Sequence, residues 1–154
     1  MEYARKQYLD QLIRKKDNGR VKVITGLRRS GKSYLLFTLY RNYLLDSGIN
    51  EDQIIELALD ELSNAKYRNP FELDKAVRER MPEKDRRYYV FIDEIQFVTE
   101  IQNPYVDDPD EMITFIDVIL GLMKLPNADI YVTGSNSKML SSDVLTQFRD
   151  RGDE

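Results

Sequence analysis

The chain has 154 residues, 42% of them hydrophobic, which is enough for one domain with a packed core and too many for wholesale disorder. It contains neither Cys nor His, which excludes disulfides, thiolate or imidazole metal sites, Cys nucleophiles and Ser-His-Asp triads. With a formal net charge of −4 the whole chain does not announce itself as a nucleic-acid binder, and any catalysis has to run on carboxylates, Lys, Arg, hydroxyls and a hard cation.

Residues 1–20 read as a basic amphipathic helix. Tyr8, Leu9, Leu12 and Ile13 make an apolar stripe among Arg5, Lys6, Arg14, Lys15 and Lys16, and Asp17-Asn18-Gly19 supplies turn chemistry. A helix packed on a sheet accounts for this pattern, and a DNA- or partner-contacting arm is the sharper alternative. The run from Arg20 to Thr25 is β-branched and predicts a strand.

Gly26, Leu27, Arg28, Arg29, Ser30, Gly31, Lys32 and Ser33 follow, with the spacing G-x-x-x-x-G-K-S. Glycines let the backbone curl so that successive N–H groups face inward as an anion cradle. In such a phosphate-binding loop the Lys32 ammonium lies against the β- and γ-phosphates and the Ser33 hydroxyl ligates Mg²⁺. Tyr34, next in the chain, is grouped with these cofactor-binding residues. Helical apolar spacing then continues through Leu44 and Leu45 to a stop at Asp46-Ser47-Gly48. Strand, loop and helix in that order are the context the motif requires.

Gln53–Leu59 predicts a second strand, with Asp60 and Glu61 just past its tip. Asn69-Pro70 is a helix cap followed by a first-turn proline, and the helix is expected to reach Met81. Tyr88-Tyr89-Val90-Phe91-Ile92 is nearly all apolar, as a strand buried on both faces should be, and it delivers Asp93-Glu94 at its end. This is the Walker B pattern. Asp93 is expected to hold Mg²⁺ opposite Ser33, and Glu94 to orient or deprotonate an attacking water.

Residues 97–111 are expected to be a connection. Its acids Asp107, Asp108, Asp110 and Glu111 form a metal site on paper and a solvated loop on the plainer reading. From Met112 to Met123 the apolar residues keep helical period, and Ile130–Thr133 predicts another buried strand. Gly134-Ser135-Asn136-Ser137 at its tip suits a γ-phosphate sensor, with Asn136 or Ser135 ahead of Thr133. A last short helix is predicted from Val144 to Arg149.

Taken together the chain resembles a family of prokaryotic AAA-type ATPases. The likeness runs over Val23–Ser33, Phe91–Gln96, Tyr131–Ser142 and Phe148–Glu154, with the Arg28-Arg29 pair inside the phosphate loop as a specific mark and Asp150 standing where the family has Gly. What the resemblance implies is an α/β P-loop NTPase, AAA-like, with three α/β/α layers and a mainly parallel sheet of order 5-1-4-3-2. It implies ATP and Mg²⁺ as cofactors and a role for Arg149 and Arg151 as arginine fingers or sensors. Family members continue into a fifth strand, a helical region and a nuclease-like domain, so residues 1–154 are expected to be a truncated ATPase domain with the outer edge of the first strand open. Dimerisation, or the N-terminal helix, would relieve that edge.

The function expected from this reading is Mg²⁺-dependent ATP binding and hydrolysis, weak in this chain if an arginine must come from a neighbouring subunit or the missing domain. The competing reading is a nucleotide-gated switch for a protein or DNA partner with little or no turnover. The expected partners are ATP and ADP, a second copy in a homo-oligomer, and a protein or DNA engaged through the N-terminal helix or the missing C-terminal domain. A GTPase is disfavoured, since Asn136-Ser137-Lys138-Met139 does not fit Asn-Lys-x-Asp. No apolar run approaches the about 20 residues of a membrane span, and no signal peptide opens the chain, so no membrane partner and a cytoplasmic location are expected.

Overall fold

The computed structural model describes residues 2–25, 29–134 and 152–153. The expectations on Gly26, Leu27, Arg28, Ser135, Asn136, Arg149, Arg151 and the helix Val144–Arg149 lie outside the described residues.

Helix α1 (Glu2–Lys15) leads through a turn to β1 (Val21–Ile24). Helix α2 (Arg29–Tyr34) runs on through a π-helical stretch, Leu35–Tyr40, into α3 (Arg41–Asp46). The sequence pattern predicts plain α-helix there, and the π stretch is a feature the tertiary packing adds. Within it Leu35, Leu36 and Tyr40 are buried. β2 (Ile54–Ala58) and α4 (Pro70–Glu79) follow, then β3 (Tyr88–Asp93). Helix α4 begins where the sequence says it should, because the Asn69 side chain accepts hydrogen bonds from the Phe71 and Glu72 amides at 2.9 and 3.2 Å.

The connection after β3 is more ordered than the sequence suggests. β4 (Ile101–Gln102) and β5 (Met112–Ile113) pair as a small antiparallel hairpin. Met112, expected on the core face of a helix, therefore sits in a strand and is exposed. Helix α5 (Phe115–Leu122) starts later, because Thr114 caps it and exchanges hydrogen bonds with Asp117 and the Ile116 amide. β6 (Ala128–Thr133) completes the buried core of the sheet.

The main sheet is all parallel, in the order β2-β3-β6-β1-β7, where β7 is Gly152–Asp153. This corrects the expectation of an unpaired outer edge on β1: Gly152 lies beside Val21 and Asp153 beside Lys22. Two residues are too short to carry a strand pattern, and only the free edge of β1 selects them.

Strand alternation divides the core into two layers. Val90, Ile92, Ile130 and Val132 pack with Leu73, Val77, Val118 and Ile119 from α4 and α5 on one face. Tyr89, Phe91 and Tyr131 pack with Leu12, Leu35, Leu36, Tyr40 and Leu44 on the other. Within the second layer the Tyr40 ring lies 4.9 Å from that of Tyr131 and 5.8 Å from that of Phe91, centroid to centroid.

A polar network crosses this second layer at the amino-terminal ends of the strands. Lys22 on β1 and Asp129 on β6 pair at 2.6 Å, at 2% and 1% exposure. Asp129 also accepts from the Asp17 amide at 2.9 Å and the Tyr131 hydroxyl at 2.6 Å, and the Tyr131 hydroxyl bonds that of Tyr40. Every group of the pair is satisfied, which a buried ion pair needs if it is not to destabilise the fold. Next to it Asp17, at φ 59°, accepts from Arg87 at 2.6 Å, from Lys16 at 2.9 Å and from the Tyr89 hydroxyl at 3.1 Å. Asp17 thereby ties the exit of α1 to the start of β3.

Burial alone would raise the pKa of Asp17, but Lys16 and Arg87 together pull it below the ordinary carboxylate value. A lowered native pKa means that the folded chain holds fewer protons than the unfolded one, so this stabilisation is complete above about pH 4 and fades as the pH falls through the native value. Asp17→Asn, which tolerates the same backbone, should lower the thermal midpoint at pH 7. The gap to wild type should close on acidification, as read by circular dichroism melts between pH 7 and pH 3.

Candidate functional site

All five strands of the parallel sheet point their carboxyl ends the same way, and that edge is where an open α/β sheet binds its ligand. Three neighbouring strands, in the order β3-β6-β1, bring the site there.

Asp93 ends β3, and Ser33 lies in α2, which follows the tip of β1. The Ser33 hydroxyl donates to Asp93 Oδ2 at 2.6 Å. The phosphate-loop serine and the first acid of the pair therefore meet. The other carboxylate oxygen, Oδ1, accepts from the Thr133 hydroxyl at 2.5 Å. Thr133 ends β6, is fully buried, and its oxygen in turn accepts the Glu94 amide N–H at 2.8 Å. Its hydroxyl is thus committed to the acid pair and braces both acids.

Asp93 is 3% exposed, and burial raises its pKa above the ordinary carboxylate range. The bonds from Ser33 and Thr133 pull the other way, while the charges of Glu94 and Asp60 add to the rise. Asp60 and Glu61 themselves stay exposed beyond the tip of β2.

Glu94 is fully buried and adopts the left-handed conformation, φ 56° and ψ 57°. For a residue other than Gly, Asn or Asp this costs about 1–2 kcal/mol and survives only where the surroundings impose it. The imposing contacts are the Thr133 bond to its amide and a 3₁₀ turn, Ile95–Phe97, that starts from it. The Gln96 side chain donates to Glu94 Oε1 at 2.7 Å. Sequence reasoning did not single out Gln96, although its place two residues beyond the acid pair was a signal.

Lys32 is 0% exposed, and its Nζ has no hydrogen-bond partner among the described residues. A buried ammonium left so is expensive, and an anion alongside it is the ordinary remedy. A phosphate fits that need. Mg²⁺ fits Ser33 and Asp93, because it favours oxygen ligands and is usually held by one or two protein groups together with water and phosphate oxygens. Gly31 is buried, Tyr34 is 42% exposed, and Arg29 and Ser30 open α2. The acids of residues 107–111 stay in solvent, and among the described residues no group of three or more carboxylates is placed to hold a metal. No described helix is long and apolar enough to cross a membrane.

A family model described as an AAA domain matches residues 18–154. The chain belongs to this AAA family. Two curated relatives match this chain over part of their greater length. An uncharacterised protein of Haemophilus influenzae is 35% identical over 148 residues, covering 96% of this chain and 33% of the relative. The uncharacterised protein MJ1544 of Methanocaldococcus jannaschii is 31% identical over 136 residues, covering 86% and 25%. The chain thus spans a third or less of the length of either.

Among solved structures, a chain of the Drosophila ORC bound to DNA superposes with a TM-score of 0.54 at 12% identity, covering 95% of this chain and 86% of that one. The C. elegans PCH-2 structure gives a TM-score of 0.55 at 16% identity, covering 96% and 40%. These likenesses place the AAA domain among P-loop NTPase folds.

The Asp93 carboxylate is held out of water, and that burial disfavours its charged form. Asp93→Asn should therefore leave the nucleotide-free chain as stable as wild type or more so, by about 1 kcal/mol or roughly 2–4 °C. Differential scanning calorimetry without nucleotide checks this, and a large loss of stability would assign Asp93 a structural role.

Proposed function

We propose that this domain binds ATP with Mg²⁺ at the carboxyl edge of its sheet and hydrolyses it. The observation that carries the reading is the 2.6 Å bond from Ser33 to Asp93, with Lys32, the residue before Ser33, fully buried. It brings together two motifs that lie far apart in the chain.

In this reading the amides of the loop Gly26–Ser33 cradle the phosphates, and Lys32 neutralises the β- and γ-phosphate oxygens. Ser33 and Asp93 hold Mg²⁺, which when bound offsets the charge that develops on the phosphates. Glu94 orients the attacking water and takes its proton. Asn136 addresses the γ-phosphate, and Arg149 or Arg151 supplies positive charge in the transition state, in this chain or to a neighbouring copy. Residues 1–154 are read as one ATPase domain, acting on a second copy or on a protein or DNA partner.

Two measurements test the assignment. Lys32→Ala should weaken ATP binding at least tenfold in titration calorimetry, since a charge-assisted contact to phosphate is lost. Equal binding by variant and wild type overturns the nucleotide site. Glu94→Gln should retain ATP affinity and lower phosphate release by about 10²-fold or more, in the range of a lost general base. A wild type that binds ATP yet never releases phosphate favours the nucleotide-gated switch over the enzyme.

A further inference from the structure

We propose that Gln96 is a positioning residue for the proposed base: its carboxamide holds the Glu94 carboxylate in the orientation from which it addresses water. This inference rests on the ATPase reading above and concerns the same site.

A glutamate carboxylate sits at the end of three rotatable bonds, so a fixed backbone does not fix its head. Here the backbone is fixed by the Thr133 bond to the Glu94 amide, and the head is gripped separately at Oε1 by Gln96 Nε2 at 2.7 Å. The left-handed turn at Glu94 and the 3₁₀ turn after it bring side chains two residues apart within reach of one another.

Gln96 is itself on a rigid footing. Ile95 is fully buried in the core, and the Phe97 and Val98 amides close the turn onto the Glu94 and Ile95 carbonyls at 3.0 and 3.1 Å. The Arg68 guanidinium lies 5.0 Å over the Phe97 ring, and Arg68 also donates to the Leu59 carbonyl at 2.7 Å. The turn bearing Gln96 is thereby braced against the segment after β2.

The chemistry of the donor also suits the task. A neutral carboxamide restrains one carboxylate oxygen without cancelling the charge that a base needs, as a lysine or arginine would. An acid at position 96 would set two like charges against each other.

The test compares wild type with Gln96→Met, which keeps the length and loses the donor, and Gln96→Glu, which adds the like charge. ATP and ADP affinities should stay within twofold of wild type, which also reports that the variants fold. Single-turnover phosphate release should fall at least tenfold in Gln96→Met and further in Gln96→Glu. In a Glu94→Gln background Gln96→Met should cause no additional loss, because the residue acts only through Glu94. Unchanged or faster release in Gln96→Met, or a loss that adds fully to that of Glu94→Gln, overturns the role. If wild type releases no phosphate beyond Lys32→Ala, the ATPase reading falls and takes this role with it. That result is distinct from one in which wild type turns over and Gln96→Met matches it.

Discussion

A single carboxylate, stripped of solvent at the tip of a central strand, sets the requirements for the rest of the domain. Asp93 is held by two hydroxyls that come from different parts of the chain, Ser33 at one oxygen and Thr133 at the other. For both bonds to form, β3, β6 and the helix after β1 must end at the same level. The parallel register that aligns Ile92 with Val132 on one side, and Val132 with Val23 on the other, delivers that level. Thr133 then passes the constraint on to Glu94, whose backbone it fixes in a conformation that a free chain would seldom adopt.

Two buried lysines show how partners decide between structure and function. Lys22 and Lys32 are nearly equally removed from water. Lys22 has a carboxylate at 2.6 Å and a tyrosine ring 5.2 Å from its ammonium, which offset part of the cost of its burial, although burial still lowers its pKa. Lys32 has no such partner among the described residues, a need that a phosphate would fit. The satisfied pair lies toward the amino ends of the strands and the unsatisfied one at the opposite edge. The amino-terminal floor of the sheet is therefore closed by internal chemistry.

The strands β1, β2, β3 and β6 and the helix α4 were legible in the sequence, because each rests on a local signal. These are apolar runs and the Asn69-Pro70 cap. The meeting of Ser33 and Asp93 was expected from the two motifs, and the hydrogen bond between them is present. The sensor and arginine expectations, on Asn136, Arg149 and Arg151, fall outside the described residues.

What no local pattern contained was set by packing at long range. The brace role of Thr133 depends on β6 lying between β3 and β1, a strand order that the family resemblance implied and no local pattern around Thr133 states. The strand β7 pairs Gly152 and Asp153 with the edge of β1, a contact that no local pattern in two residues announces. The β4–β5 hairpin took Met112 from a helix that its spacing predicted, because the Thr114 cap lies beyond it. The left-handed turn at Glu94 belongs to the same class. Composition and spacing bounded the chemistry open to the chain, since residue types and short-range periodicity are properties of the string. Which side chains hold that chemistry in place was decided by strand order and register, since hydrogen bonds across a sheet join residues whose separation along the chain carries no signal.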